Sequence, residues 1–300
     1  MKILNFGSLN IDYVYSVEHF VRAGETISSD SLNLFCGGKG LNQSVAFSKA
    51  GADTYHAGSI GKEGAMLTDM LKSAGVRTDF VTVRDDISCG HAIIQVNSHG
   101  ENCILLYGGA NHTISNDMVD GVLAGFGAGD MMMLQNEINN LPYIVEQAKK
   151  KGIIIALNPS PFNDKIKELD LSLIDWIILN ETEGQEITGK EKADDIIAAL
   201  NSSYPEIKIV LTLGKHGALY AYKNERASHG IFNVPVVDTT AAGDTFTGYF
   251  FAEIMGGSSP AKALKIASAA SAVAVSRKGA APSIPTKDEV EALLAKFGEA

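Results

Sequence analysis

Short runs of unbroken hydrophobicity alternate along this chain with stretches in which apolar residues recur every three to four positions. Ile153-Ile154-Ile155-Ala156-Leu157 lies between Gly152 and Asn158-Pro159, Asp175-Trp176-Ile177-Ile178-Leu179 stops at Asn180, and Ile207 to Leu213 stops at Gly214. Runs of this length without polar alternation predict strands buried on both faces. Met1 to Gly7 reads as a first strand of the same kind, and the mostly apolar Ile231 to Val237 as a later one. Between them, Leu141 to Lys150 and Ala193 to Leu200 carry the spacing of amphipathic helices. Buried strands alternating with helices predict an α/β fold with a mainly parallel sheet covered on both faces. Ligands of such folds bind beyond the C-terminal ends of the strands, which is where Asn158, Asn180 and Asp238 are expected.

Two segments break the rhythm. Tyr13 to Cys36 and Gly90 to Gly108 hold short, partly alternating strands, the second reading as a hairpin from His91 to Val96 and back from Asn102 to Tyr107 around Asn97-Ser98-His99-Gly100. The two insertions are expected to pair into a small antiparallel sheet standing off the main body as a lid, or else to be edge strands of the main sheet. A small sheet with one apolar face needs cover from a ligand, a partner subunit or both. Near the C-terminus a helix is expected from Pro260 to about Lys278, with Ser259 as N-cap and Gly279 as terminator. Its alanines at 267, 269, 270, 272 and 274 suit either close helix packing or the approach of something flat.

Composition narrows the class. With 300 residues, 45% hydrophobic and 20% charged, the chain has the make-up of a globular protein of one large or two smaller domains. The formal net charge of −10, with no Lys/Arg-rich block, argues against a nucleic-acid or anionic-membrane partner. Cys36, Cys89 and Cys103 are odd in number and lack metal-ligand spacing, so reduced thiols in the cytoplasm are expected. No apolar stretch of about 18 residues is present to span a membrane, and the N-terminal segment lacks the apolar core of a signal peptide.

The most chemically specific stretch is Asp238-Thr239-Thr240-Ala241-Ala242-Gly243-Asp244, followed by apolar periodicity from Phe246. Small residues opening a helix leave its first N–H groups free to hold an anion. Asp244, at the helix start, stands where a base could take a proton from an attacking hydroxyl. A second glycine-rich loop, Gly37-Gly38-Lys39-Gly40-Leu41-Asn42, precedes a helix expected over Asn42 to Ala50; it is either a plain turn or a cradle in which Lys39 and Asn42 reach hydroxyls. It is no Walker loop, since no Gly-Lys pair in the chain is followed by Ser or Thr, and no dinucleotide fingerprint is present. Asn10 and Asp12, just past the first strand, suit two vicinal hydroxyls or a turn cap. Asn180-Glu181-Thr182-Glu183 reads either as a helix N-cap with an acidic first turn or as a site where Glu183 holds hydrated magnesium. Thr212-Leu213-Gly214-Lys215-His216-Gly217 suits phosphate contact, and the seven histidines show no zinc spacing.

Taken together, GSLNID (7–12), GET (24–26), GGKGLNQSVA (37–46), GGAN (108–111), NPSP (158–161), NETE (180–183), TLGKHG (212–217), DTTAAGDTFTG (238–248) and SRKGAAPSIP (276–285) resemble the ribokinase branch of the PfkB carbohydrate kinases, essentially end to end. The resemblance implies one doubly wound α/β domain over residues 1–300 with a β-sheet lid that often clasps a homodimer. It implies ATP-dependent phosphorylation of a sugar's primary hydroxyl, ribose first among candidates. A sibling kinase for another furanose, a ketose or a nucleoside is the alternative, and a silent sugar-binding regulator a remoter one. It assigns Asp244 as base and the N–H groups of Ala241, Ala242 and Gly243 as anion hole. Asn10, Asp12, Gly38, Lys39, Asn42 and Glu137 become sugar contacts; Asn180, Thr212, Gly214, Lys215, Gly217, Gly243 and Ser268 become nucleotide neighbours. Glu183 would hold Mg2+ through water, and Asp238, Thr240, Ala274, Arg277, Gly279 and Ser283 would hold K+. The chain departs from the family's pattern at Ala23, Tyr13 and Ser268.

Overall fold

The computed structural model describes residues 1–298; residues 299 and 300 lie outside the described residues. In chain order the strands and helices begin with β1 (Ile3–Phe6), β2 (Asn10–Ser16), β3 (Ser31–Gly37), α1 (Lys39–Lys49), β4 (Thr54–Gly61), α2 (Ala65–Ser73) and β5 (Arg77–Arg84). There follow β6 (Gly90–Val96), β7 (Asn102–Tyr107), α3 (Asn116–Leu123), β8 (Met131–Gln135), α4 (Leu141–Lys150), β9 (Ile154–Asn158), β10 (Trp176–Asn180), α5 (Glu181–Thr188) and α6 (Ala193–Ser203). The chain ends with β11 (Lys208–Thr212), β12 (Ala218–Tyr222), β13 (Glu225–His229), α7 (Ala242–Met255), α8 (Pro260–Val275) and α9 (Lys287–Lys296).

The apolar runs are strands whose successive side chains feed two separate cores. Met131 and Met133 of β8 enter one core and Met132 and Leu134 the other; Trp176 and Ile178 of β10 part from Ile177 and Leu179 in the same way. This two-residue alternation is what a sheet covered on both faces requires. The sheet has nine strands in the order β13-β12-β11-β10-β9-β8-β1-β4-β5. Every pair from β11 through to β5 is parallel, and β12 and β13 close one edge antiparallel. Helices α1, α7 and α8 supply one core and α3, α4 and α6 the other. No helix among the described residues is long and apolar enough to cross a membrane.

Both insertions join a second sheet of four strands, β3-β2-β6-β7. Its pairing is mixed where an antiparallel sheet is expected: β2 runs parallel to β6, because both strands leave the main body in the same direction. The outer pairs β2–β3 and β6–β7 are antiparallel.

Three further expectations change. Ile231 to Val237 forms no strand; Phe232 packs into a core, but Ile231, Val236 and Val237 are exposed and the segment has no ladder to join. Asp238 consequently follows an irregular segment and not a strand end, while Asn158 and Asn180 do end β9 and β10. α1 starts at Lys39 and not at Asn42, since Gly38 at φ 91° turns the chain directly from β3 into the helix. α8 is capped by Ser259 as expected but ends at Val275 before Gly279 is reached. Its alanines are buried in the core shared with α7, and Ser271 Oγ donates to the Ala242 carbonyl at 3.2 Å, so close helix packing accounts for them.

α1 and α7 meet still more closely. A Cβ on Gly248 would sit 2.2 Å from the Ala46 Cβ, so only glycine permits this approach. Gly248→Ala is expected to lower stability by about 1–3 kcal/mol through overpacking. Urea unfolding measures it, and an unchanged midpoint would show that the two helices separate freely.

Candidate active site

The site is built where β9, β10 and β11 end and α7 begins. A cavity of about 240 Å3 opens there, lined by Asn158 and Asn180 from the strand ends, Lys39 from α1, Thr212 after Leu211, and Ala241, Ala242, Gly243 and Asp244 from the start of α7. The loop feeding α7 is tied down before the helix begins. Asp238 Oδ1 accepts from the Thr240 N–H at 2.9 Å and the Thr240 hydroxyl at 2.6 Å, while Oδ2 accepts from the Gly279 N–H at 2.9 Å. Burial pulls the Asp238 carboxyl upward, but these donors outweigh it and hold its pKa below the ordinary value. Arg277 reaches Glu289 with both guanidinium nitrogens, at 2.6 and 3.3 Å, anchoring the loop after α8.

Ala241 caps α7 in the left-handed conformation, φ 58°. A non-glycine residue there costs about 1–2 kcal/mol, and the surrounding bonds sustain it. The Ala242 N–H is already committed to the Thr239 carbonyl at 3.2 Å. The N–H groups of Ala241, Gly243 and Asp244 have no backbone partner among the described residues; all three residues line the cavity, where the helix dipole reinforces them.

Asp244 is buried at the first turn of α7 and gripped from α1. Asn42 Nδ2 donates to its Oδ2 at 3.0 Å and Gln43 Nε2 to its Oδ1 at 2.9 Å. The Asn42 Oδ1 is buried with no partner among the described residues. A buried amide oxygen without a donor is costly.

A second polar cluster stands at the small sheet's root; of the expected sugar contacts, Lys39 and Asp244 line the cavity, whereas Asn10, Asp12, Gly38, Asn42 and Glu137 do not. Asn111 Nδ2 donates to Asn10 Oδ1 at 2.7 Å, while Asn111 Oδ1 accepts from the Leu9 N–H at 3.0 Å, fixing the Asn10 amide. Glu137 accepts from the Lys39 N–H at 3.0 Å and from the Ser8 hydroxyl. Burial, and then the neighbouring Glu137, push the Asp12 carboxyl up to about 7. Burial raises Glu137 too, against the pull of Lys39 and Ser8. Lys39 loses basicity to burial, but Asp244, Glu137 and Glu183 more than restore it. One ammonium thus stands among carboxylates from three parts of the chain, and Gly38 beside it makes the turn that puts it there.

On the other flank, Asn180 and Glu183 form a complete capping box: Asn180 Oδ1 accepts from the Glu183 N–H at 2.9 Å and Glu183 Oε2 from the Asn180 N–H at 3.0 Å. The cap reading therefore holds, and the same two residues line the cavity. Gly214, Lys215 and Gly217 lie in the turn after β11, and Ser268 is buried on α8; none of these four lines the cavity. Sequence reasoning missed Gln43 and Asn111 as organisers of the site. Both stand within motifs that it singled out, but their roles depend on partners distant in sequence.

No group of three or more His, Cys, Asp or Glu side chains among the described residues could cage a metal. Glu183, with Oε2 engaged in the cap, suits a hydrated divalent ion shared with a ligand's own oxygens. Around Asp238, the Thr240, Arg277 and Gly279 carbonyls accept no backbone hydrogen bond from the described residues, whereas that of Ala274 accepts from Arg277 at 3.1 Å. Ser283 Oγ donates to the Ala280 carbonyl at 2.8 Å, close by in sequence. Uncommitted carbonyls beside one carboxylate are the donor set of a weakly hydrated monovalent cation.

Comparison with known proteins gives this geometry a family. The description "pfkB family carbohydrate kinase" matches residues 1–287. A ribokinase of Haemophilus influenzae is 36% identical over 291 residues, covering 94% of this chain and 95% of that one. A deoxyribokinase of Salmonella typhi is 31% identical, covering 98% and 99%. The structure of Arabidopsis thaliana ribokinase complexed with ribose and ATP superimposes with a TM-score of 0.87 at 31% identity, over 98% of both chains. The chain belongs to the PfkB family of carbohydrate kinases.

Proposed function

We propose that this protein transfers the terminal phosphoryl group of ATP to the primary hydroxyl of a pentose, D-ribose to ribose 5-phosphate, with Asp244 as the base. One observation carries the reading: the Asp244 carboxylate lines the cavity at the N-terminus of α7, beside free helix N–H groups and Lys39, and Lys39 and Asn42 link it to the polar cup that Asn10, Asp12 and Glu137 complete outside that lining. The sugar lies in that cup. Asn42 Oδ1 takes a hydroxyl proton, and Asn10 and Asp12 hold vicinal hydroxyls, so the primary hydroxyl is left at Asp244. The base orients that hydroxyl and removes its proton as it attacks. The Ala241 and Gly243 N–H groups hold the oxygens of the transferring phosphoryl, and Lys39 stabilises the charge that develops between the reactants. Nucleotide contacts fall to Asn180, Thr212 and the turn at Gly214 to Gly217.

Magnesium bound near Glu183 supplies neutralisation of phosphate charge. Potassium fits the carbonyls around Asp238 and would stiffen the loop without touching substrate. The four-stranded sheet serves as the lid that keeps water from competing as nucleophile. Its exposed apolar residues, among them Leu34 at 47% and Leu105 at 67%, are covered by a second copy of the chain.

Four outcomes are expected. Purified protein with magnesium-ATP should release ADP with ribose ahead of deoxyribose, fructose, tagatose and nucleosides, and more slowly when potassium is withheld. Asp244→Asn should keep sugar and ATP binding but lose about 10²-fold or more in turnover, and near-normal turnover would remove Asp244 from the role. The KM for ribose should rise about tenfold between pH 8 and pH 6, because Asp12 titrates near 7 and accepts two hydroxyls only when ionised. Asp12→Asn should flatten that profile, and a wild-type KM independent of pH would contradict it. Leu105→Glu should convert a dimer to monomers in light scattering; a wild-type monomer would dispose of the clasp.

A further inference from the structure

The face of the sheet beneath α1 is apolar except at its centre. Asn5 of β1, Gln135 at the end of β8 and His56 of β4 all point into it, and each is 0% exposed. They belong to one continuous chain of hydrogen bonds that ends on Asp244. Asn5 Nδ2 donates to the Gly40 carbonyl at 2.7 Å and to Ser44 Oγ at 2.9 Å. Asn5 Oδ1 accepts from Gln135 Nε2 at 2.9 Å, and Gln135 Nε2 donates again to Gln43 Oε1 at 2.7 Å. Gln43 Nε2 then donates to Asp244 Oδ1 at 2.9 Å, with a longer contact to Asn158 Oδ1 at 3.4 Å.

A primary amide can turn over without steric cost, because its oxygen and nitrogen are nearly the same size; only its partners decide which way it faces. Here both ends of the chain are acceptors only. The Gly40 carbonyl demands the nitrogen of Asn5, so the Asn5 oxygen faces Gln135 and demands its nitrogen. Gln135 Nε2 spends both protons, one on Asn5 and one on Gln43 Oε1, which leaves Gln43 with its nitrogen toward the carboxylate. Reversing Gln43 would set oxygen against carboxylate and nitrogen against nitrogen. The arrangement leaves Gln135 Oε1 buried with no partner among the described residues.

We infer that Gln43 is a positioning residue that fixes the Asp244 carboxylate in its reactive orientation, and that Gln135 and Asn5, which touch neither cavity nor carboxylate, act through it by setting the direction of its amide. The inference rests on Asp244 being the base. With Asn42 holding Oδ2 and Gln43 holding Oδ1, the carboxylate plane is defined at two points, and loss of one frees it to rotate about its side-chain torsions. Misplacement of a reacting group by about 1 Å can cost up to 10²-fold in rate.

The test is a double-mutant cycle in the full-length protein, read as kcat and as KM for ribose and ATP. Gln43→Met should lower kcat about tenfold or more with both KM values within about twofold, and Gln135→Met should lower kcat several-fold. In the Gln43→Met background Gln135→Met should cost no further kcat, because its only route to the base is gone. Should Gln135→Met fail to fold by circular dichroism, Gln135→Asn, which keeps an amide but shortens its reach, takes its place in the cycle. Additive losses in kcat, or an unchanged kcat in Gln43→Met, would overturn the inference. An Asp244→Asn variant of full activity would instead defeat the reading of the base, and this inference with it.

Discussion

The contact between α1 and α7 is the constraint on which the rest of the site depends. These helices come from opposite ends of the chain, and each carries half of the site: α1 begins with Lys39 and brings Asn42 and Gln43, while α7 begins with free N–H groups and Asp244. Their separation is set by Gly248 against Ala46, a distance that no side chain can enlarge without cost. Because two amides of α1 grip the carboxylate of α7, an error in that spacing would be transmitted directly to the reacting atoms. Core packing and site geometry are therefore one problem here, solved by the smallest residue type.

The charges around the cavity follow a similar economy. Lys39 offsets the mutual repulsion of Glu137 and Asp244, and in turn stays charged despite burial because Asp244, Glu137 and Glu183 surround it. Asp238 is kept out of this group. Its two oxygens are occupied with Thr240 and Gly279, so it shapes the loop from behind and leaves the front to Asp244. Two carboxylates six positions apart thus do unrelated work, which their spacing in sequence does not reveal.

The strands were legible because a run buried on both faces has no polar residue to disguise it, as at Ile155, Leu157, Ile177 and Leu179. Ile231 to Val237 misleads for the complementary reason: apolar composition without a neighbouring strand to pair with does not make a ladder. At the site, Asp244, Asn42 and Lys39 were legible because they open helices at stretches whose small residues mark close approach. Asn5, Gln135 and His56 were not. Asn5 and Gln135 are single polar residues in apolar strands, and the meaning of all three appears only when β1, β8 and β4 lie side by side beneath α1. The Asn180–Glu183 pair shows a third case, in which the cap and the cavity lining are the same residues and the sequence supports both readings without choosing.

The register of the small sheet has a mechanical consequence. Its innermost row is Gly37, Asn10 and Gly90, side by side, and its far end lies at Ser16 and Val96. A body hinged along that row would be a lever whose fulcrum is Asn10, the residue proposed to hold the sugar. A swing that carried Val96 through several ångströms would leave Asn10 almost where it was. Under the proposed function, such a sheet would admit and release small molecules at its outer margin while Asn10 kept its place.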